Sequence, residues 1–199
     1  MPDSQPERDR TIRTRLVDAA IVVGISVLAA FGSGSRTWTG FNSPDSEFYA
    51  SLALFGSDVT DRSIDPAYTW TRLGYIAPVR LLVTSLDPWA GFALWRLLLI
   101  LLIVGSVYAV VRITSTRQLA VLTSAAAALN TVVLSFVGNS DLTGTILAAT
   151  CLLLALGVWG CLGQPRQAWL PALLSGATAG WLVMLNPYAK GGQYARFFS

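Results

Sequence analysis

Between Ala90 and Val111 the chain runs through twenty-two residues whose single charged member is Arg96. A stretch of that length matches the roughly 20 apolar residues an α-helix needs to cross the hydrocarbon core of a bilayer. Four more apolar segments accompany it, at 16–32, 118–137, 142–163 and 168–186. Backbone N–H and C=O groups in hydrocarbon must satisfy one another, so such segments span as helices. Composition agrees: 53% of residues are hydrophobic and 13% charged, against roughly 25% charged in a soluble domain, and the mean hydropathy is +0.55. The sequence therefore predicts an all-α integral membrane protein with about five transmembrane helices.

The first apolar segment is short and carries Asp18. A cleaved signal peptide is the rival reading, but no clear A-x-A site follows, and an uncleaved signal anchor is the better expectation. Residues 1–15 ahead of it are polar, with Arg8, Arg10, Arg13 and Arg15 against Asp3, Glu7 and Asp9. This cytoplasmic tail is expected to be disordered. Much of the formal charge of +3 sits there, beside a span, so it bears on membrane topology and argues for no nucleic acid partner. Histidine is absent, which excludes His-based triads and most zinc sites. Cys151 and Cys161 are ten residues apart in one predicted helix, about 15 Å of rise, so they cannot bridge each other.

Residues 33–89 form a long mixed loop holding six of the eleven acidic residues. It opens with Asn42-Ser43-Pro44-Asp45-Ser46-Glu47-Phe48-Tyr49. Ser43 suits an N-cap and Pro44 the first helical position, and Phe48, Tyr49, Leu52 and Phe55 recur at helical spacing, so 44–56 reads as a short amphipathic helix. Asp45 shares a face with Tyr49, whereas Glu47 points about 200° away from Asp45. One helix cannot bring both carboxylates to one ion. An acid in a first turn also simply complements the helix dipole, and that reading stands beside any catalytic one. Asp65-Pro66 breaks the chain before a second semi-polar helix over 69–86, which Pro78 should kink. Neither helix is apolar enough to span, and both suit the membrane surface.

Counting arginines orients the chain. With the N-terminus cytoplasmic, inner loops hold Arg112, Arg117 and Arg166, and the short outer loop 138–141 has no cation. Asn139-Ser140-Asp141 then caps the fourth span on the outer side, where Asp45 also lies. Arg96, the one cation within a predicted span, is expected to snorkel toward the interface. Trp89, Trp95, Trp159, Trp169 and Trp181 fall near predicted ends, as interfacial aromatics do. Gly176-x-x-x-Gly180 would let the last helix approach a neighbour closely.

In order and topology these pieces resemble the GT-C membrane glycosyltransferases, most nearly the branch with protein O-mannosyltransferases and aminoarabinose transferases. The likeness is carried by Pro44-Asp45-Ser46-Glu47-Phe48-Tyr49, Thr71-Arg72-Leu73-Gly74-Tyr75-Ile76-Ala77-Pro78, Trp95-Arg96-Leu97 and Asn139-Ser140-Asp141, and it covers about residues 16–185. It implies an inverting transfer of sugar from a polyprenyl-phosphate-linked donor to an acceptor hydroxyl or amine at the outer face of the plasma membrane. By the same resemblance Asp45 is the first-loop catalytic acid, with Glu47 and Asp141 as further acids. Arg72 and Arg80 would bind the donor phosphate, and a divalent metal ion would be held by Asp45 and Asp141. Two departures stand out: Ser46 separates acids that the family usually places side by side, and the family generally has more spans. Residues 187–199 contain no further one, so the chain is expected to be a truncated relative, a fragment, or one part of an enzyme completed by another protein. A non-catalytic scaffold or partner subunit is the alternative. A small transporter comes third, because the spans are nearly free of ionisable residues.

This topology makes a direct prediction. Cysteines placed at Ser57 and Ser140 should react with a membrane-impermeant thiol reagent in intact cells, and one at Ser115 should not. The inverse labelling pattern would reject the orientation and the shared outer site.

Overall fold

The computed structural model describes residues 5–32, 44–55, 73–138, 142–162 and 169–185, with side chains from Ile12 onward in the first of these segments and from Tyr49 in the second. Among the described residues there are eight helices and no strand: α1 (Gln5–Gly32), α2 (Pro44–Phe55), α3 (Leu73–Ser85), α4 (Pro88–Thr114), α5 (Arg117–Ala128), α6 (Thr131–Gly138), α7 (Leu142–Leu162) and α8 (Trp169–Leu185). Three are long and apolar enough to cross a membrane: α1 over Ile12–Phe31, α4 and α7. This is a helical membrane protein. The predicted third span is a bent pair, α5 and α6, meeting at 54°, and α8 is a shorter apolar helix of 17 residues.

Two expectations change on contact with the structure. The polar tail, expected to be disordered over 1–15, is helical from Gln5. Once a span has nucleated, extending it adds one hydrogen bond per residue fixed, and Glu and Arg propagate a helix well. The unbroken span expected at 118–137 gives way at Asn130. Its side-chain Oδ1 accepts the backbone N–H groups of Val132 at 2.9 Å and Val133 at 3.3 Å, so it caps α6 and ends the run of α5. No glycine or proline marks the break, and one asparagine in an apolar run was its only trace.

Helix α4 is the hub, packing against α1, α3, α5, α6 and α7. Its composition is nearly uniform, yet the buried residues Phe92, Trp95, Leu99, Ile100, Ile103 and Val104 keep three- and four-residue spacing along one side. The turn before it is built by Asp87, whose carboxylate accepts the N–H groups of Trp89 at 2.9 Å and Ala90 at 3.4 Å, with Pro88 at the first helical position. This turn folds α3 back onto α4, and Gly91 lets them touch: a Cβ there would lie 2.7 Å from the Val83 Cα. Gly144 does the same for α7, where a Cβ would lie 2.6 Å from the Phe136 carbonyl oxygen of α6.

Pro78 lies inside α3. Lacking an N–H, it leaves the carbonyl of Gly74, four residues earlier, without its helical donor. The indole N–H of Trp181 fills the gap, donating to the Gly74 oxygen at 2.8 Å from α8. Trp181 is therefore more than an aromatic near a helix end: it cross-links the last described helix to α3. Trp95, another expected interfacial residue, is buried, whereas Trp89 and Trp169 are exposed.

Trp181→Phe should cost about 1–2 kcal/mol, because it leaves a buried carbonyl unpaired. The same change in a Pro78→Ala background should cost less, since an alanine at that position brings its own backbone N–H to the Gly74 carbonyl. Unfolding of all four variants in detergent gives the coupling, and strictly additive effects would refute this role for Trp181.

Candidate functional site

The end of α4 that carries Trp95 and Arg96 is covered by the two loop helices. Helix α2 packs on α3, and α3 packs on α4. Three aromatic rings lock the stack. Tyr49 of α2 meets Tyr75 of α3 edge to face, with centroids 6.0 Å apart and planes at 71°. Tyr75 in turn meets Trp95 of α4 at 6.2 Å and 76°. Such T-shaped pairs are worth about 0.5–1.5 kcal/mol each beyond the area they bury.

Arg96 lies beside Tyr75 in this stack and is only 5% exposed. The expectation that it would snorkel is thus corrected. Loop helices, not lipid headgroups, cover this end of α4, so its guanidinium stays inside the protein, where it is engaged rather than free. Burying a cation is costly unless it is paired and hydrogen-bonded. The indole N–H of Trp95, its neighbour in sequence, is also buried, with no acceptor among the described residues. Consecutive helical side chains point about 100° apart, so the two donors serve different directions.

The residues expected to form the site fall around this stack to different degrees. Asp45 and Glu47 are in the first turn of α2, one turn ahead of the buried Tyr49, and their side chains lie outside the described residues. Arg72 and Asp141 lie outside them altogether, immediately before α3 and α7 begin. The expected convergence of Asp45 and Asp141 therefore also lies outside the described residues. Arg80 is described: α3 turns it to the exposed side, while Tyr75, Ile76, Val79 and Val83 face the core. The structure brings Arg96, not Arg80, into the aromatic stack. Sequence reasoning had Trp95-Arg96 in hand as a motif but gave the arginine to the interface; the signal passed over was a lone cation within a long apolar run. Among the described residues no three His, Cys, Asp or Glu gather where a metal could bind. Cys151 and Cys161 are both free thiols.

A second polar cluster lies at the other end of α4. Asp18 of α1 sits 2.8 Å from the Arg117 Nε of α5 and 3.7 Å from the Arg112 Nε of α4. The Arg117 N–H is not aimed at the carboxylate closely enough for a hydrogen bond, so this contact is charge against charge. The Tyr108 side chain stands beside Asp18 and Arg117. An acid inside a predicted span was the sequence signal for a partner, and the two arginines had been read only as topology determinants. An apolar groove of about 330 Å³ also runs between α4 and α7, past Leu102, Gly105, Leu156 and Trp159. At about 100° per residue it faces away from Arg96 and does not extend the aromatic stack.

Comparison with protein-family models, with curated proteins and with solved structures found no match.

The Asp18 cluster yields a stability prediction. Its carboxylate side chain is 17% exposed and its arginine partners are 42% and 40% exposed, which places the cluster between a surface pair and a buried one. Asp18→Asn should therefore cost about 1–2 kcal/mol and should raise hydrogen exchange in α1 more than in α7. Unchanged exchange in α1 would mean that apolar packing alone holds this helix.

Proposed function

We propose that this chain forms the first part of a membrane glycosyltransferase that moves a sugar from a polyprenyl-phosphate donor to an acceptor hydroxyl or amine at the outer face of the plasma membrane. In this reading the chain crosses the membrane about five times with its N-terminus cytoplasmic, and α2 and α3 lie along the outer surface. The observation that carries the proposal is the buried Arg96 beside Tyr75 of α3, the helix on which the Asp45- and Glu47-bearing α2 packs. The same order of pieces underlies the resemblance to the GT-C enzymes: a span, an acid-bearing helix, a proline-interrupted helix and a span opening with Trp-Arg.

The chemistry assigns each group a task. Departure of a phosphate places negative charge on oxygen, and a desolvated guanidinium stabilises that charge more than the same group would in water. Arg96 takes this role, with Arg72 and Arg80 guiding the donor phosphate at headgroup depth. Asp45 orients the acceptor and draws its proton as the hydroxyl attacks the anomeric carbon. Glu47 and Asp141 complete the acidic surroundings, and a divalent ion shared by Asp45 and Asp141 would neutralise the phosphate further.

A partner protein supplying further spans belongs to the proposal. Gly176 and Gly180 have nothing within 4 Å of where a Cβ would lie, and they face away from the buried Pro171, Thr178 and Leu185 of α8. The same outward face favours the second reading, a non-catalytic subunit that holds a partner helix.

Asp45→Asn decides between the readings in a reconstituted membrane containing the donor, the acceptor and any partner chain. Transfer should fall by about 10²–10⁴-fold, as expected for loss of a general base. Stability should change by no more than about 1 kcal/mol, the worth of an exposed acid in a first helical turn. Full activity in this variant would reject the mechanism, and an inactive wild-type complex would favour the subunit.

A further inference from the structure

A side chain that takes an N–H from a helix leaves a carbonyl without its donor. Asn130 takes two: its Oδ1 accepts the N–H groups of Val132 at 2.9 Å and Val133 at 3.3 Å. In an unbroken helix these would serve the carbonyls of Ala128 and Leu129, four residues earlier. Among the described residues no other backbone N–H replaces them. Ala128 is buried and Leu129 is 67% exposed, so the Leu129 carbonyl is the one a neighbour can reach. The carboxamide has donors to match. Its oxygen is fixed by the two N–H groups it accepts, so the other atom is the nitrogen, with two N–H bonds of its own. These find no acceptor among the described residues.

Leu129, Asn130, Thr131 and Val132 are all exposed at the elbow between α5 and α6. In the proposed topology these helices make one span, and the elbow lies deep within it. The twelve residues of α5, about 18 Å, precede it, and the eight of α6, about 12 Å, follow. Hydrocarbon offers a carbonyl or a carboxamide no partner, and broken backbone at membrane depth is tolerated only against protein or a water-filled cavity. The flanks favour protein. Leu122, Leu129, Val132 and Phe136 around the elbow are exposed apolar side chains, which suit a packed neighbour and would line a water-filled cavity poorly.

We propose that a second copy of this chain covers the elbow, in a twofold dimer centred on Asn130. Self-complementarity selects this occupant. A twofold interface sets one patch against itself, so that residue i meets j and j meets i. The elbow holds donor and acceptor on consecutive residues: the carboxamide N–H groups of Asn130 and the carbonyl of Leu129. Across the axis each Asn130 donates to the Leu129 carbonyl of the other copy, and symmetry supplies the second bond. A partner of different sequence would have to bring both a donor and an acceptor in the same arrangement. Leu122, Val132 and Phe136 pack around this polar centre. Carboxamide side chains join membrane helices by such bonds. The inference rests on α5 and α6 forming one span and does not depend on sugar transfer.

The test uses the full chain carrying Cys151→Ala and Cys161→Ala, reconstituted in phosphatidylcholine vesicles over a range of protein-to-lipid ratios. With Thr131→Cys added, a short membrane-permeant thiol cross-linker should join two copies and form no larger species. Leu28→Cys, on the exposed side of α1, should stay single. Asn130→Ser keeps a capping oxygen, and with it the elbow, but loses the N–H groups that reach across. It should need about tenfold more protein per lipid for the same cross-linked fraction, the scale of two hydrogen bonds between membrane helices. The Thr131→Cys result stands by itself should Asn130→Ser not fold. A chain that stays single at every ratio would overturn the dimer, as would equal cross-linking at Leu28→Cys. So would an Asn130→Ser chain that associates like the wild type. Labelling of Ser115→Cys and Ser140→Cys from one side of the membrane would instead remove the span, and would overturn the inference by that route.

Discussion

A backbone carbonyl freed inside a membrane protein has no water to turn to, and Pro78 frees one at Gly74. The donor that reaches it comes from Trp181, more than one hundred positions along the chain. Membrane helices tolerate proline where a neighbouring helix restores the missing bond, and here the neighbour is α8. The bond fixes the register of α8 against α3, and the bare backbone of Gly91 presses α3 against α4. Since α4 also carries α1, α5, α6 and α7, one proline and one indole tie the first loop, the hub and the last described helix into a single body.

How much of this could be seen beforehand depends on the kind of signal. Apolar length is a property of sequence alone, so α1, α4 and α7 were legible as spans, and Pro44 correctly announced the start of α2. Which side of α4 is buried was not legible, because leucine and isoleucine surround it and the core stripe follows from neighbours rather than from polarity. Trp181 was assigned to the interface because tryptophan usually belongs there; its role depends on a carbonyl far away in sequence. Asn130 broke a helix by competing for two N–H groups, a local effect that an average over apolar residues hides. For the site, Tyr75, Trp95 and Arg96 lay within the quoted motifs, but only packing shows that they stack.

The two ends of α4 handle charge in opposite ways. At one end Arg96 is buried beside Tyr75 of α3, where a cation is hard to keep desolvated and responds strongly to any opposite charge. At the other end Arg112 and Arg117 are two-fifths exposed and share one carboxylate. That arrangement keeps part of each arginine side chain in contact with solvent. The first arrangement suits reaction or tight recognition, and the second ties α1 to the α4–α5 corner. A single helix thus separates the two clusters by the sixteen residues from Arg96 to Arg112, about 24 Å.

That separation gives the aromatic stack its significance. Chemistry on a lipid-linked sugar needs an acid and a cation held in register on different elements, and an error of about 1 Å in their placement can cost two orders of magnitude in rate. Short helices are poor carriers of such precision, since helices below about 12–15 residues are marginal by themselves, and α2 has 12 residues. Its stiffness must come from packing. Tyr49 is 1% exposed and locked edge-on to Tyr75, which is locked in turn to Trp95, the neighbour of Arg96 in sequence. Three rings therefore transmit the rigidity of a long apolar helix to a short one. Position 45 lies one helical turn beyond the last of them. Loosening Tyr49 or Tyr75 would leave every charged group of the proposed site in place and still disturb the distance between acid and cation on which that chemistry depends.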